Sequence, residues 1–540
     1  MNALTVQIYD TTLRDGMQGE GVSLSLAGKI SIARRLDEFG VDYIEGGYAA
    51  SNPKDMEFFR EIRRKNLKRA RVAAFGSTRR AHTRVGEDHG TKQLLAAQTA
   101  VVTIFGKSWR LHVRDVLRTT ENENLAMIRD TVAYLKQRGR QVIYDAEHFF
   151  DGYKDSPAYA MATLRSALEA GADCLVLCDT RGGGLPHEIA DITRAVVKAL
   201  AAPVGIHCHN DGELAVANSL EAVRAGARQV QGTINGYGER CGNASLCAII
   251  PNLVLKLSRA CRCQDNLKEL MDLSRFVDDA LNLPHGRQAA YVGESAFAHK
   301  AGMHANAVEK NPRSFEHVPP ETVGNERRIL ISELSGSSNI LLKAIEMGET
   351  LSKSSPEIRD VLNKLEQLEK KGYQFESADA SFKIMIQKIL KRHKPFFGLE
   401  GYRVIVEKRG KHEPCLAEAT IKVKVGHEIE HTAAEGDGPI NALDNALRRA
   451  LTRFYPAIAK VVLTDFRVRI LDPEEATAAK TRVIIESSDG KDTWGTVGVS
   501  GNIIEACWEA LVDSVEYKLF KDEQPAAKPK LLKRPAKRRA

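Results

Sequence analysis

Two histidines one residue apart, His207-Cys208-His209, lie at the end of a β-rich run in a chain of 540 residues. Alternate side chains of a strand leave the same face, so both imidazoles point one way and can chelate one divalent ion. An H-x-H pair alone is more often two satisfied core histidines than a metal site. What lies near it in space decides the reading. Close to the N-terminus, Asp10-Thr11-Thr12-Leu13-Arg14-Asp15-Gly16 ends another β-rich run. Its carboxylate Asp15 would complete a set of two histidines and one acid, with positions left open for substrate. Arg14 by itself reads as a surface ion-pair residue. Beside a metal carboxylate it becomes a stabiliser of an anion or of a developing oxyanion.

Further reactive residues cluster at the ends of other runs. They are Tyr144-Asp145-Ala146-Glu147-His148, Asp179-Thr180-Arg181-Gly182-Gly183-Gly184, and Gly236 to Ala244, which includes Asn243. Glu45, beside Gly46-Gly47, is balanced between a rim ion pair and a place in the site. The glycine-rich 236–244 stretch lacks phosphate-loop spacing, and no G-x-x-x-x-G-K-[ST] occurs. Cys261 and Cys263 form a C-x-C with no second pair nearby, a poor zinc signal.

The elements that must position these groups follow from periodicity. Short β-rich runs at 6–9, 43–46, 72–75, 101–105, 142–144, 174–178, 204–208 and 230–234 alternate with helical stretches such as 27–39, 124–137, 159–170, 186–200 and 212–225. Eight βα units predict a closed α/β barrel, the (β/α)₈ or TIM-barrel arrangement, with a doubly wound open sheet as the competitor. In a closed barrel the reactive groups sit at the C-terminal strand ends, where the residues above fall. That placement reverses the balance for the H-x-H pair.

Residues 1–260 thus form the barrel. Residues 261–392 read as mainly helical linker subdomains, with Gly/Ser/Asn breaks such as 335–339 and a helical charge pattern over 356–371. Residues 393–522 read as an α+β domain, with strands at 402–407, 417–425, 461–470 and 481–488 and helices at 438–454 and 502–520. The end of the chain, 523–540, is rich in Pro, Ala and Lys and is expected to be a disordered basic tail. Seven of residues 524–540 are Lys or Arg and none is acidic, so the net charge of +8 falls to +1 without them, and specific nucleic-acid binding is not expected. Nine cysteines scattered through apolar surroundings, no apolar run of membrane-spanning length and no signal-like N-terminus predict a reduced, cytoplasmic protein.

Together these residues resemble the metal-dependent isopropylmalate, homocitrate and citramalate synthases, over nearly the whole chain except the tail. The most specific parts are Thr11 to Gly16, His207 to Asp211, Gly238 to Ala244, and His299-Lys300-Ala301-Gly302-Met303-His304. Within the family, Asp15 to Gly21, Phe105-Gly106-Lys107-Ser108-Trp109 and Asp179 to Gly183 are most similar to members forming (R)-citramalate. The resemblance implies a homodimeric transferase that condenses acetyl-CoA with pyruvate on a divalent ion (Mg²⁺, Mn²⁺, Co²⁺ or Zn²⁺), in isoleucine biosynthesis. It makes Asp15, His207 and His209 metal ligands, with Asn243 completing or supporting the shell. Arg14, Tyr144 and Thr180 would hold the 2-oxo acid, Glu147 would help handle the acetyl group, and His304 would transfer a proton. The C-terminal domain would dimerise and bind isoleucine as feedback ligand. Met17-Gln18-Gly19-Glu20-Gly21 departs from the Glu-Gln-Ser-Pro-Gly usual in isopropylmalate synthases, and Phe315 stands where relatives often carry tyrosine. Isopropylmalate or homocitrate synthesis is the alternative within the family, and a reverse-running lyase comes third. A non-catalytic amino-acid sensor on a barrel scaffold is the alternative of another class.

Overall fold

The computed structural model describes residues 5–50, 52–330 and 356–523. The break at 335–339 and the basic tail from 524 onward lie outside the described residues. The chain divides into two compact units, one of Met1–Phe297 with Glu316–Arg327, the other of Ala298–Phe315 with Arg328–Ala540.

The first unit is a closed barrel of eight parallel strands in sequential order. They are β1 (Gln7–Asp10), β2 (Tyr43–Tyr48), β3 (Arg71–Ser77), β4 (Val101–Lys107), β5 (Gln141–Glu147), β6 (Cys174–Asp179), β7 (Val204–Cys208) and β8 (Gln229–Gly232). Closure is made where β1 pairs with β8, Gln7 opposite Gln229 through Asp10 opposite Gly232. The open-sheet alternative is therefore excluded. Helices such as Leu26–Phe39, Glu121–Gln137 and Pro186–Ala199 bury one face each against the outside of the strands. Inside, Tyr9, Tyr43, Ala73, Val101, Ile143, Cys174, Val176 and Cys178 pack as a separate apolar layer, so the barrel is filled rather than a channel.

The second unit opens with a two-stranded parallel pair, β9 (Ala298–His299) and β10 (Arg328–Ile329). Beyond the helices Pro356–Lys370 and Asp379–Ile389 come two antiparallel three-stranded sheets. One is β11 (Gly398–Glu407), β12 (Leu416–Val425) and β13 (Glu428–Gly436); the other is β14 (Val462–Ile470), β15 (Thr481–Ser488) and β16 (Thr493–Ser500). Each sheet is followed by one helix, Pro439–Thr452 or Ile503–Glu523, and the two helices share a core with both sheets. The periodicity missed β13 and β16. In β13, Glu-Ile-Glu-His-Thr-Ala-Ala-Glu-Gly places no residue in the fully buried class, so no apolar alternation shows. In β16 two glycines dilute the pattern, and both are needed for close approach. A Cβ on Gly495 would lie 1.9 Å from the Ser377 carbonyl, and one on Gly498 2.0 Å from that of Ala506. All nine cysteines are free, and no described helix is long and apolar enough to cross a membrane.

One buried ion pair holds the barrel rim in place. Lys29 Nζ donates to Asp55 Oδ1 at 2.5 Å and to the Gly46 carbonyl at 3.0 Å, while Asp55 Oδ2 accepts the Tyr48 N–H at 3.0 Å. Gly47, at φ 151°, passes so close that a Cβ would lie 2.3 Å from the Asp55 carboxyl carbon. Removing one partner of a buried pair strands the other charge. Asp55→Ala should therefore lower the unfolding free energy by about 3–5 kcal/mol in denaturant titrations, and adding Lys29→Met should recover most of that. Additive losses in the double variant would contradict this account.

Candidate active site

Strand alternation decides which side chains reach the barrel interior. One inward layer above the apolar one consists of Glu45 on β2, Thr103 on β4, Asp145 on β5, His207 on β7 and Gln231 on β8, none more than 4% exposed. The loops after β1 and β7 bring Asp15 and His209 to the same place. One ligating atom from each of Asp15, His207 and His209 lies within 4.8 Å of the others.

Hydrogen bonds orient these donors. His207 Nδ1 meets Gln231 Oε1 at 2.9 Å, and Gln231 Nε2 donates to Asp145 Oδ1 at 3.0 Å. The Gln231 carbonyl oxygen places a proton on Nδ1, while Nε2 faces Asp15 Oδ2 at 3.4 Å; burial opposes a charge on His207, but Asp15 outweighs it and raises the pKa. Burial, aided by the neighbouring His207, pushes His209 down to about 4, so its ring is neutral at pH 7. Burial alone would raise the Asp15 carboxyl; the Arg14 guanidinium and the two imidazoles outweigh it and hold it well below the usual range. His209 Nδ1 and Asn243 Oδ1 are buried without a hydrogen-bond partner. Buried atoms rarely stay so unless something else satisfies them. Two imidazoles, a carboxylate and an unpartnered amide oxygen fit a divalent ion.

Beneath the donors lies a carboxylate that the sequence left undecided. Glu45, with no exposed surface, accepts from Tyr9 Oη at 2.6 Å, Thr11 Oγ1 at 2.5 Å and Arg14 Nε at 2.5 Å. Arg14 Nη1 is 3.0 Å from Asp15 Oδ2, and its guanidinium carbon stands 3.8 Å over the Phe75 ring. Burial opposes the Arg14 charge, but Asp15 and Glu45 more than offset it and raise its pKa.

Above this floor opens a cavity of about 270 Å³, lined by Arg14, Asp15, His207, His209, Asp145, Glu147, Thr180 and Arg240, with Tyr48, Phe75 and Phe105 as apolar wall. Phe75 and Phe105 stack with centroids 5.4 Å apart. Burial, followed by the Glu45 charge, pushes Asp145 up to about 7. Glu147 pairs with Lys107. Thr180 Oγ1 accepts the His148 N–H at 2.8 Å, and Arg240 ties the Thr180 carbonyl (2.9 Å) to the Asp211 carboxylate (2.7 and 3.0 Å).

Most of the residues singled out in the sequence thus converge, with two exceptions. Tyr144 does not line the cavity. It occupies the outward parity of β5, fully buried with Ile128 and Leu164 in the layer between strands and helices, its hydroxyl close to Gly106. Asp145, one residue on, takes the inward place. His304 belongs to the second unit, where its ring lies against Phe315 with centroids 4.2 Å apart. Sequence reasoning also passed over Gln231, Phe75 and Phe105. Counting back by twos from the reactive strand ends would have placed each of them inward.

Three family models match: HMGL-like over residues 5–277, the homocitrate synthase post-HMGL domain-like model over 291–373, and the LeuA allosteric (dimerisation) domain over 376–519. An (R)-citramalate synthase of Geobacter sulfurreducens is 54% identical, covering 96% of this chain and 98% of the relative. One of Aquifex aeolicus is 55% identical with the same coverage, whereas a 2-isopropylmalate synthase of Methanocaldococcus jannaschii reaches 31%. With matches that span barrel, linker and C-terminal domain, the chain belongs to the (R)-citramalate synthase family of enzymes.

Proposed function

We propose that the cavity condenses acetyl-CoA with pyruvate and hydrolyses the thioester, giving (R)-citramalate and CoA. The observation that carries this reading is the buried Arg14, Asp15, His207 and His209 cluster under a small cavity with one aromatic wall. Its 270 Å³ is below the roughly 300–1,000 Å³ of sites for drug-sized ligands, in keeping with a short 2-oxo acid. A divalent ion held by Asp15, His207 and His209, with Asn243 beside them, would supply Lewis-acid polarisation of the ketone.

The rest falls to the chain's own groups. Arg14, locked by Glu45 and Asp15, presents fixed positive charge to the oxygen on which negative charge develops, without reorganising during the reaction. Thr180 binds the 2-oxo acid, whose methyl packs on Phe75 and Phe105. Glu147 and Asp145, two of the cavity's carboxylates, are offered to take the acetyl methyl proton, and a pKa near 7 suits Asp145 to exchange protons at neutral pH. His304, from the second unit, serves the later proton transfer. The C-terminal domain dimerises and binds isoleucine; the exposed apolar residues Val462, Val468 and Ile470 on β14 support self-association there.

Three outcomes test the reading. Free CoA thiol should be released with pyruvate, while 2-oxoisovalerate, two methyl groups larger, should give a kcat/KM about 100-fold lower. Comparable values would move the assignment to isopropylmalate synthesis. Glu45→Gln, which keeps size but removes the charge that locks Arg14, should lower kcat/KM by about 100-fold with an unchanged circular dichroism spectrum. A wild-type rate would remove Arg14 positioning from the mechanism. Isoleucine should inhibit the full-length enzyme, and truncation near residue 390 should abolish that inhibition. No inhibition, together with no calorimetric binding, would refute regulation.

A further inference from the structure

We propose that Asp278, on the helix Leu270–Leu281 and outside every motif read from the sequence, is a positioning residue for the metal centre. It fixes the loop after β8 and, through it, the Asn243 carboxamide beside His209. The proposal rests on Asp15, His207 and His209 being metal ligands.

After β8 the chain turns through Asn235, a non-glycine residue in the left-handed region at φ 60°. Such a conformation persists only where the surroundings enforce it. Here they do. Asn235 Nδ2 donates to the Ser274 carbonyl at 3.0 Å and to Asp278 Oδ1, and its Oδ1 accepts from Ser274 Oγ at 2.6 Å and Cys247 Sγ at 3.2 Å. Two residues on, the Tyr237 hydroxyl donates to the same Asp278 oxygen. The other oxygen, Oδ2, meets His285 Nδ1 at 3.1 Å. Asp278 is 3% exposed, and its two oxygens are taken up by these partners. Of these side-chain partners only His285 lies outside the loop.

The loop carries that order to the donors. The Tyr237 carbonyl accepts from Thr233 Oγ1 at 2.8 Å and from Asn243 Nδ2 at 3.1 Å. With the amide nitrogen engaged, Asn243 Oδ1 is left buried without a partner, on a residue bridged directly to His209. Little slack remains. A Cβ on Gly238 would lie 2.2 Å from Asn243 Nδ2, and one on Gly242 2.1 Å from the Gly236 carbonyl. Asp278 thus acts through Tyr237 on Asn243, at the outer-shell distance from which metal affinity is tuned.

The test is Co²⁺ binding to metal-stripped, full-length protein, followed by calorimetry and by the visible absorption of the bound ion. Asp278→Ala should bind about 10–100-fold more weakly than wild type and shift the absorption band, with Asp278→Asn recovering part of the affinity. Tyr237→Phe, which removes only the hydroxyl, should weaken binding in the same direction. Because the action runs through Asn243, Asp278→Ala should add no further loss in an Asn243→Ala background. A folded Asp278→Ala variant that binds Co²⁺ like wild type, or losses that add in the double variant, would overturn the proposal. Should Asp278→Ala fail to fold, Tyr237→Phe and its own cycle with Asn243→Ala decide in the same way. His207→Ala separates the two readings. If it binds Co²⁺ as tightly as wild type, the metal site itself is wrongly placed; if it loses binding while the Asp278 and Tyr237 variants do not, only the positioning role fails.

Discussion

A guanidinium without water must be answered by carboxylates, and the barrel mouth is organised around that requirement. Arg14 has two, Asp15 at the level of the donors and Glu45 below them. Taken by themselves these three side chains carry a net charge of −1. On the proposed reading a divalent ion would bring them to +1, and a monoanionic acid to neutrality. Burial magnifies every one of these interactions, since effective permittivity falls away from water. Tyr9 and Thr11 complete the Glu45 coordination, so the arginine has one available orientation.

How much of this was legible depends on what kind of signal carried it. The barrel strands were visible because parallel strands, covered on both sides, read as compact apolar runs with regular spacing. β7 was found at its observed bounds, while β8 ends two residues early because Asn235 enters a left-handed turn. Asp15, His207, His209, Arg14, Glu147 and Thr180 were found because reactive residues gather at strand ends, and they do line one cavity. Tyr144 was misplaced by a single step of strand parity, since adjacent residues of a strand face opposite sides. A cluster of reactive letters does not state parity; the register of β5 does.

What stayed hidden was the support beneath the donors. Gln231 and Asp145 orient His207 from 24 and 62 positions away; Gln231 is its register partner on β8, and Asp145 reaches the relay from β5 inside the barrel. In the second unit, β13 and β16 were obscured for opposite reasons, one polar on both faces and the other thinned by glycine so that a helix can approach. Neither leaves a hydrophobic period to read. The valine and isoleucine side chains of β14 did mark a strand, read at 461–470 and observed at Val462–Ile470, although Val462, Val468 and Ile470 are exposed.

The closure of β1 onto β8 has a bearing on how the protein is born. The Thr12 hydroxyl accepts the Ile234 N–H across 222 residues of sequence, and Asp15, in the loop after the first strand, waits for His207 and His209 until the seventh has been made. No growing chain shorter than 209 residues contains all three of Asp15, His207 and His209. During synthesis, N-terminal segments leave the ribosome first, and contacts of such long range form late because loop closure must precede them. On the proposed reading, an ion would therefore find no complete set of ligands until the seventh strand had been made, and the choice among metals would fall to a nearly finished barrel whose geometry can discriminate.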